Sequence, residues 1–223
     1  MTSPAAIQHG QVYHIYNRGN NRQDIFVEER NYRHFLQLYA RYVEPVADTY
    51  AYCLLRNHFH FLVRIKDEEE TLRVSETLRV STTPNPMEEG TLRVSPTLRV
   101  YTTLNPSQQF GNLFNAYAKA INKAYQRTGS LFQNPFGRVP VTSDAHLVCL
   151  VAYIHQNPQK HRFVDDLRDW PYSSYHALLS QAATRLKRDD VLAWFGGPAA
   201  FQAYHQQPVR ESQVTALAPD DFD

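Results

Sequence analysis

The hydrophobic and polar positions change period several times along the chain, and each change predicts an element. "QVYHIYNRG" (11–19) is a short β-rich run ending at Gly19, and it predicts a first strand. In "ERNYRHFLQLYARYV" (29–43), Tyr32, Phe35, Leu36, Tyr39 and Val43 recur at helical spacing, giving a helix with one apolar stripe. "TYAYCLL" (49–55) and "HFHFLVRI" (58–65) read as two strands joined by a tight turn at Arg56-Asn57. "SQQFGNLFNAYAKAINKAYQRTG" (107–129) predicts a second helix, opened by a Ser107 cap and stopped at Gly129. Its apolar side carries Phe110, Leu113, Phe114, Tyr117 and Ile121. "LFQNPFGRVPVT" (131–142) reads as extended. "SDAHLVCLVAYIHQNP" (143–158) predicts a helix capped at Ser143/Asp144. It should end before Pro158, because proline disfavours helical geometry in the residue preceding it.

Strand, helix, strand, strand, helix, strand and a further helix make an α+β chain on the ferredoxin-like, split βαβ plan. That plan gives an antiparallel sheet with helices on one face, plus one added helix. The main domain spans residues 1–180, and residues 181–223 predict a helical C-terminal extension and tail. Residues 66–106 interrupt the plan. They carry "TLRVS" at 71, 77 and 91 and "TLRVY" at 97, spaced too irregularly for a solenoid. The stretch reads as an insertion between the third strand and the second helix, either mobile or a small β excursion.

Composition narrows the class. The chain has 223 residues, enough for one substantial core. Nothing in it approaches the roughly 18 consecutive apolar residues of a membrane span. The opening "MTSPAAIQHGQ" lacks the basic-then-apolar order of a signal peptide, and Cys53 and Cys149 sit in apolar runs as buried thiols. These features predict a cytoplasmic protein. Net charge is only +1, but from Gln108 to Arg162 six Lys/Arg face a single acid, Asp144. A locally basic half of this kind suits a polyanion and equally suits an ordinary solvated face.

Two patterns carry chemistry. Side chains alternate along a strand, so His58, His60, Leu62 and Arg64 share one face, and Phe59, Phe61, Val63 and Ile65 the other. The aromatic face is the natural cover for the helices, which leaves the two imidazoles on the second face, close enough to share a divalent cation. A pair of satisfied structural histidines would show the same spacing. In "AYIHQNP", Tyr153 and Asn157 stand four apart and project from one helix face. A phenol is a poor nucleophile without help, since its ordinary pKa is about 10. A metal polarising a phosphate under attack supplies that help, and Asn157 offers a third ligand. Tyr117 competes for the role, with Asn122 five residues on, but it falls in the middle of an apolar stripe. His14 on the first strand can also face the site, although a structural role explains it.

"NHFHFLV" followed by "YIHQNP", with "YHIYNRG" before and "WPYSSY" after, resembles the single-tyrosine HUH transposases, and among them the REP-associated tyrosine transposases of bacteria. The resemblance covers about residues 11–66 and 107–180. It implies that Tyr153 attacks single-stranded DNA to form a 5′-phosphotyrosine link, which a 3′-hydroxyl later reverses. It also implies Mg2+ or Mn2+ held by His58, His60 and Asn157, a hairpin DNA substrate of the REP kind, and a monomer or homodimer acting in the bacterial cytoplasm. From charge alone, Lys119, Lys123, Arg127 and Arg138 are candidates for phosphate contacts. Two other readings use the same residues. A regulator that only binds nucleic acid would want aromatics rather than histidines on the sheet. A metal-dependent phosphodiesterase would attack with water and leave Tyr153 a spectator.

Overall fold

Among the described residues, six strands and two long helices precede a third helix and a run of shorter ones. The computed structural model describes residues 6–77 and 98–216. The elements that matter here are β1 (Val12–Arg18), α1 (Glu29–Tyr42), β2 (Ala47–Leu54), β3 (His58–Ile65), β4 (Leu72–Thr77), β5 (Leu98–Thr103), α2 (Pro106–Ala124), β6 (Gly137–Pro140) and α3 (Asp144–Lys160). Shorter helices follow: α4 (Tyr175–Leu179), α5 (Arg188–Phe195), α6 (Pro198–His205) and α7 (Glu211–Val214). The main sheet runs β2-β3-β1-β6 with every pair antiparallel, which is the ferredoxin-like order.

Strand β3 lies near the centre of the sheet, and its two faces go to two different cores. Phe59, Phe61, Val63 and Ile65 pack with Tyr13 and Ile15 of β1 against α1 and α2. Leu62 packs with Ala51 and Cys53 against Leu150, Val151 and Ile154 of α3. Leu178, Val191, Phe201 and Val214 from the C-terminal helices complete this second core. The face expected to stand open is therefore roofed by the added helix. Because α3 touches the sheet on one side and α6 and α7 on the other, it is apolar around most of its girth. Cys53 and Cys149 are both buried and are not joined in a disulfide.

Three boundaries differ from the sequence expectation. Helix α2 is capped by Asn105, whose side chain accepts from the Gln108 amide, with Pro106 in the first turn; Ser107 lies inside the helix. The same helix stops at Tyr125 rather than at Gly129, which takes a left-handed conformation in the following loop. Helix α3 runs through Pro158 to Lys160. A proline in the last turn removes one backbone donor, and the turn is closed beyond it by His161 N–H to the Asn157 carbonyl and Phe163 N–H to the Pro158 carbonyl. In the insertion, β4 and β5 form a two-stranded antiparallel ribbon, so the first and last repeat copies pair with each other. Residues 78–97, which hold the inner copies, lie outside the described residues.

A buried polar chain locks α3 in place. Tyr52 N–H donates to Ser174 Oγ at 2.8 Å, and Ser174 Oγ lies 2.7 Å from His155 Nε2. His155 Nδ1 lies 2.9 Å from His205 Nε2, and His205 Nδ1 lies 2.7 Å from the Phe201 carbonyl. A carbonyl only accepts, so His205 donates from Nδ1 and accepts at Nε2. His155 must then donate from Nδ1 and accept the serine hydroxyl proton at Nε2. Both rings are neutral in this arrangement. Burial pushes the His155 pKa well below the ordinary value and the His205 pKa down to about 4.

The sign of the linkage follows. Between pH 6.5, the ordinary histidine value, and about 4, the unfolded chain holds a proton that folded His205 rejects. Stability is complete above the upper value and is lost as pH falls toward the lower one. Urea unfolding should show about 2 kcal/mol less stability at pH 5 than at pH 7 from His205 alone. His205→Gln should flatten that slope. A wild-type stability that does not change across this interval would contradict the neutral relay.

Candidate active site

The antiparallel register of β1 and β3 sets the first half of the site. Tyr16 stands opposite His60, Arg18 opposite His58, and His14 opposite Leu62. All of these side chains share the face that α3 covers, so His14 and His60 are diagonal neighbours on it. His14 Nε2 lies 3.0 Å from His60 Nδ1, and both residues are buried. His58 Nδ1 lies 2.7 Å from Asn57 Oδ1; an amide oxygen only accepts, so this ring carries its hydrogen on Nδ1. In both rings Nδ1 is engaged from behind, which assigns Nε2 to anything bound in front. Gly137 of β6 lies opposite Tyr16, and a Cβ there would sit 2.1 Å from the tyrosine ring. The missing side chain is what lets Tyr16 lie across the edge strand.

Helix α3 supplies the second half. The Tyr153 ring meets the His60 ring edge-on with centroids 6.0 Å apart, and His161, just past the helix end, meets the His58 ring in the same way at 4.9 Å. Residues 153, 157 and 161 lie one turn apart on one stripe. Asn157 therefore lies on the helix stripe between the two contacts. Its Nδ2 donates to the Tyr153 carbonyl at 3.1 Å, and its Oδ1 is buried with no hydrogen-bond partner among the described residues. A buried amide oxygen without a partner costs roughly 1–3 kcal/mol, which the native chain tolerates where something else is meant to meet it.

The surroundings keep the His60 imidazole neutral. Burial, reinforced by His14, His161, Arg18 and Lys160, holds the His60 pKa well below its ordinary value, so the ring is neutral at pH 7. Lys160 Nζ lies 5.1 Å from the centre of the Tyr153 ring, a cation–π distance. A cavity of about 20 Å³ lined by Tyr16, Arg18, His58, His60, Gln133 and Gly137 adjoins the imidazoles. That space, which neither Tyr153 nor Asn157 lines, has room for one water-sized group. Among the described residues no three His, Cys, Asp or Glu side chains group into a metal site. A set of two imidazoles and one amide oxygen is nevertheless a fitting donor set for a hard-to-intermediate divalent ion that keeps open positions.

The other candidates fall elsewhere. Tyr117 is fully buried on the opposite face of the sheet and donates its hydroxyl to the Ile25 carbonyl at 2.7 Å, while burial raises its pKa. It packs as a core residue. Lys119, Lys123 and Arg127 belong to α2 or to the loop just past it, on that same far side, and Arg127 bonds the Asn122 side chain. Arg138 pairs with Ile15, so it points to the α2 side, where it reaches Ser107 Oγ and lies over Phe136. The structure therefore brings His58, His60, Tyr153 and Asn157 together and leaves the four basic residues apart from them. Sequence reasoning did not single out Tyr16, Arg18, Asn57, Lys160 or His161. Pairing the first and third strands in register would have found Tyr16 and Arg18. His161 was hidden by the expectation that Pro158 ends the helix.

A histidine pair on a central strand and a tyrosine on a helix crossing it make the arrangement that the resemblance to tyrosine transposases implies. No family model matches the chain. A curated protein of Haemophilus influenzae named as a REP-associated tyrosine transposase is 26% identical over 131 residues, 58% of this chain. The chain spans about three fifths of that relative's length, 59%. A solved structure of a REP-associated tyrosine transposase bound to a REP hairpin superposes with a TM-score of 0.54 at 15% identity, covering 81% of this chain and 86% of the other. Similarity to the REP-associated tyrosine transposases thus holds in sequence and, separately, in fold. No helix among the described residues is long and apolar enough to cross a membrane.

The unpartnered amide oxygen makes a prediction. Asn157→Leu keeps the volume and removes the buried acceptor, so in EDTA its unfolding free energy should fall within about 1 kcal/mol of wild type. Excess Mn2+ should stabilise wild type, by about 2.7 kcal/mol at 100 times the Kd, and leave the variant unchanged. Equal stabilisation of both proteins would remove Asn157 from the ligand set.

Proposed function

We propose that this chain cleaves and rejoins single-stranded hairpin DNA through Tyr153. The observation that carries the reading is the convergence of the α3 stripe, Tyr153-Asn157-His161, on the His58/His60 pair of β3. The name of the relative and the hairpin bound in the solved neighbour support the substrate class. In the forward step the phenol oxygen bonds to phosphorus, and the bond from phosphorus to the 3′ oxygen breaks. The phenol proton is released, the 3′ oxygen takes one up, and a 5′-phosphotyrosine remains. Attack by a 3′-hydroxyl on that linkage reverses the step without an external energy source.

The chain's own groups divide the work. His58 and His60, with Nδ1 tethered, would present Nε2 to Mg2+ or Mn2+, and Asn157 would present Oδ1. When bound, the ion supplies Lewis-acid stabilisation of charge on the phosphate oxygens. Lys160, over the Tyr153 ring, and Arg18, beside His58, add positive charge where the DNA backbone must come. Such DNA lies in the bacterial cytoplasm, which is where the reading places the protein.

Incubation with a 3′-labelled single-stranded hairpin and Mn2+, followed by denaturing electrophoresis, should give a protein-sized labelled band. Tyr153→Phe should abolish it, EDTA should abolish it, and Tyr117→Phe should retain it. Cleavage that survives Tyr153→Phe would assign the attack to water, and binding without cleavage would make the chain a regulator.

A further inference from the structure

We propose that His14 is a positioning residue for His60: it accepts the Nδ1 hydrogen of that ring and so keeps the Nε2 lone pair turned toward the cation. The inference rests on the metal-binding reading of the site given above. Its basis is geometric. His14 lies in the middle of β1, flanked in the sheet by Leu62 on one side and Val139 on the other, and it has no exposed surface. An aliphatic residue would fill this place in the ladder without the cost of desolvating an imidazole. What the imidazole adds is a nitrogen 3.0 Å from His60 Nδ1, reached diagonally across the β1–β3 pair.

Imidazole chemistry fixes the direction. A neutral ring carries one hydrogen, and only the bare nitrogen can ligate a metal. For His60 Nε2 to ligate, Nδ1 must hold the hydrogen, and the atom it points at must accept. His14 Nε2 is that atom. Asn57 Oδ1 does the same for His58 at 2.7 Å, so each ring of the pair has Nδ1 within hydrogen-bond distance of an atom able to accept. The two backings differ in kind. An amide oxygen can serve in only one direction, whereas the His14–His60 bond is compatible with either tautomer pair until a cation selects one. His14 acts behind His60 rather than beside it, so it is not itself a ligand in this geometry. The Tyr16 ring also packs against it, centred 5.0 Å away, with Gly137 making room for that tyrosine. Second-layer acceptors of this type typically change metal affinity by about 10–100-fold when removed.

Mn2+ titration followed by electron paramagnetic resonance tests this without any DNA. Wild type should bind one ion. His14→Leu should raise the Kd at least about tenfold, and His14→Gln, which retains an acceptor near the Nε2 position, should stay within about threefold. Circular dichroism checks that each variant is folded, since a purely structural role would alter the melting temperature and leave the Kd of the folded protein alone. A folded His14→Leu that binds Mn2+ like wild type would overturn the proposal. Should His14→Leu fail to fold, imidazole 15N spectra of wild type loaded with Mg2+ decide the point: hydrogen on His60 Nδ1 supports it, and hydrogen on Nε2 overturns it. A wild type that binds no Mn2+ would instead remove the metal site itself, a different failure from the one in which wild type binds and His14→Leu does too.

Discussion

Strand β3 is buried on both faces, and the two-residue side-chain period of an extended chain decides what each face can be. Phe59, Phe61, Val63 and Ile65 have no choice but to point into one core once His58, His60 and Leu62 point into the other. A slip of one residue in the pairing with β1 would bury two imidazoles among phenylalanines and expose the aromatic row to α3. The aromatic core under α1 and α2 is therefore what guarantees the orientation of the histidines. The aromatic core on one side of the sheet and the histidine cluster on the other are consequences of the same register.

The other half of the site depends on how α3 is held. A helix that carried Tyr153 and Asn157 but could roll about its axis would not keep them over the imidazoles. Leu150, Val151 and Ile154 seat it on the sheet, and His155, on yet another side, ties it through Ser174 to β2 and through His205 to α6. The motif "YIHQNP" thus combines two jobs at adjacent positions: Tyr153 and Asn157 face the histidine pair, and His155 anchors the helix that carries them. The buried polar groups are not alike in kind. The His155 chain has every donor matched to an acceptor, as a structural network should, whereas Asn157 Oδ1 has no hydrogen-bond partner among the described residues.

Much of this was legible in the residues alone. The element order and the ferredoxin-like plan follow from periodicity, because apolar residues recur at the interval that each backbone geometry buries. The segregation of His58 and His60 from the phenylalanines follows from strand alternation, and the pairing of Tyr153 with Asn157 from the helical turn. Other features were misread for local reasons. Ser107 looked like a cap because serine often is one, but Asn105 with Pro106 after it sets the start of α2. Pro158 looked like a terminator, yet near a helix end it costs a single backbone bond, and α3 continues far enough to place His161 against His58.

By itself, then, the amino-acid sequence determined which residues share a face, since that depends only on backbone repeat distances within one element. Only the tertiary structure decided which faces meet. That α3 roofs the histidine side, that Arg18 and Lys160 join the site while Lys119, Lys123, Arg127 and Arg138 do not, and that His14 backs His60 are outcomes of strand register and helix packing. Those are set by the sum of many weak contacts between distant segments, and no short stretch of the chain contains that sum.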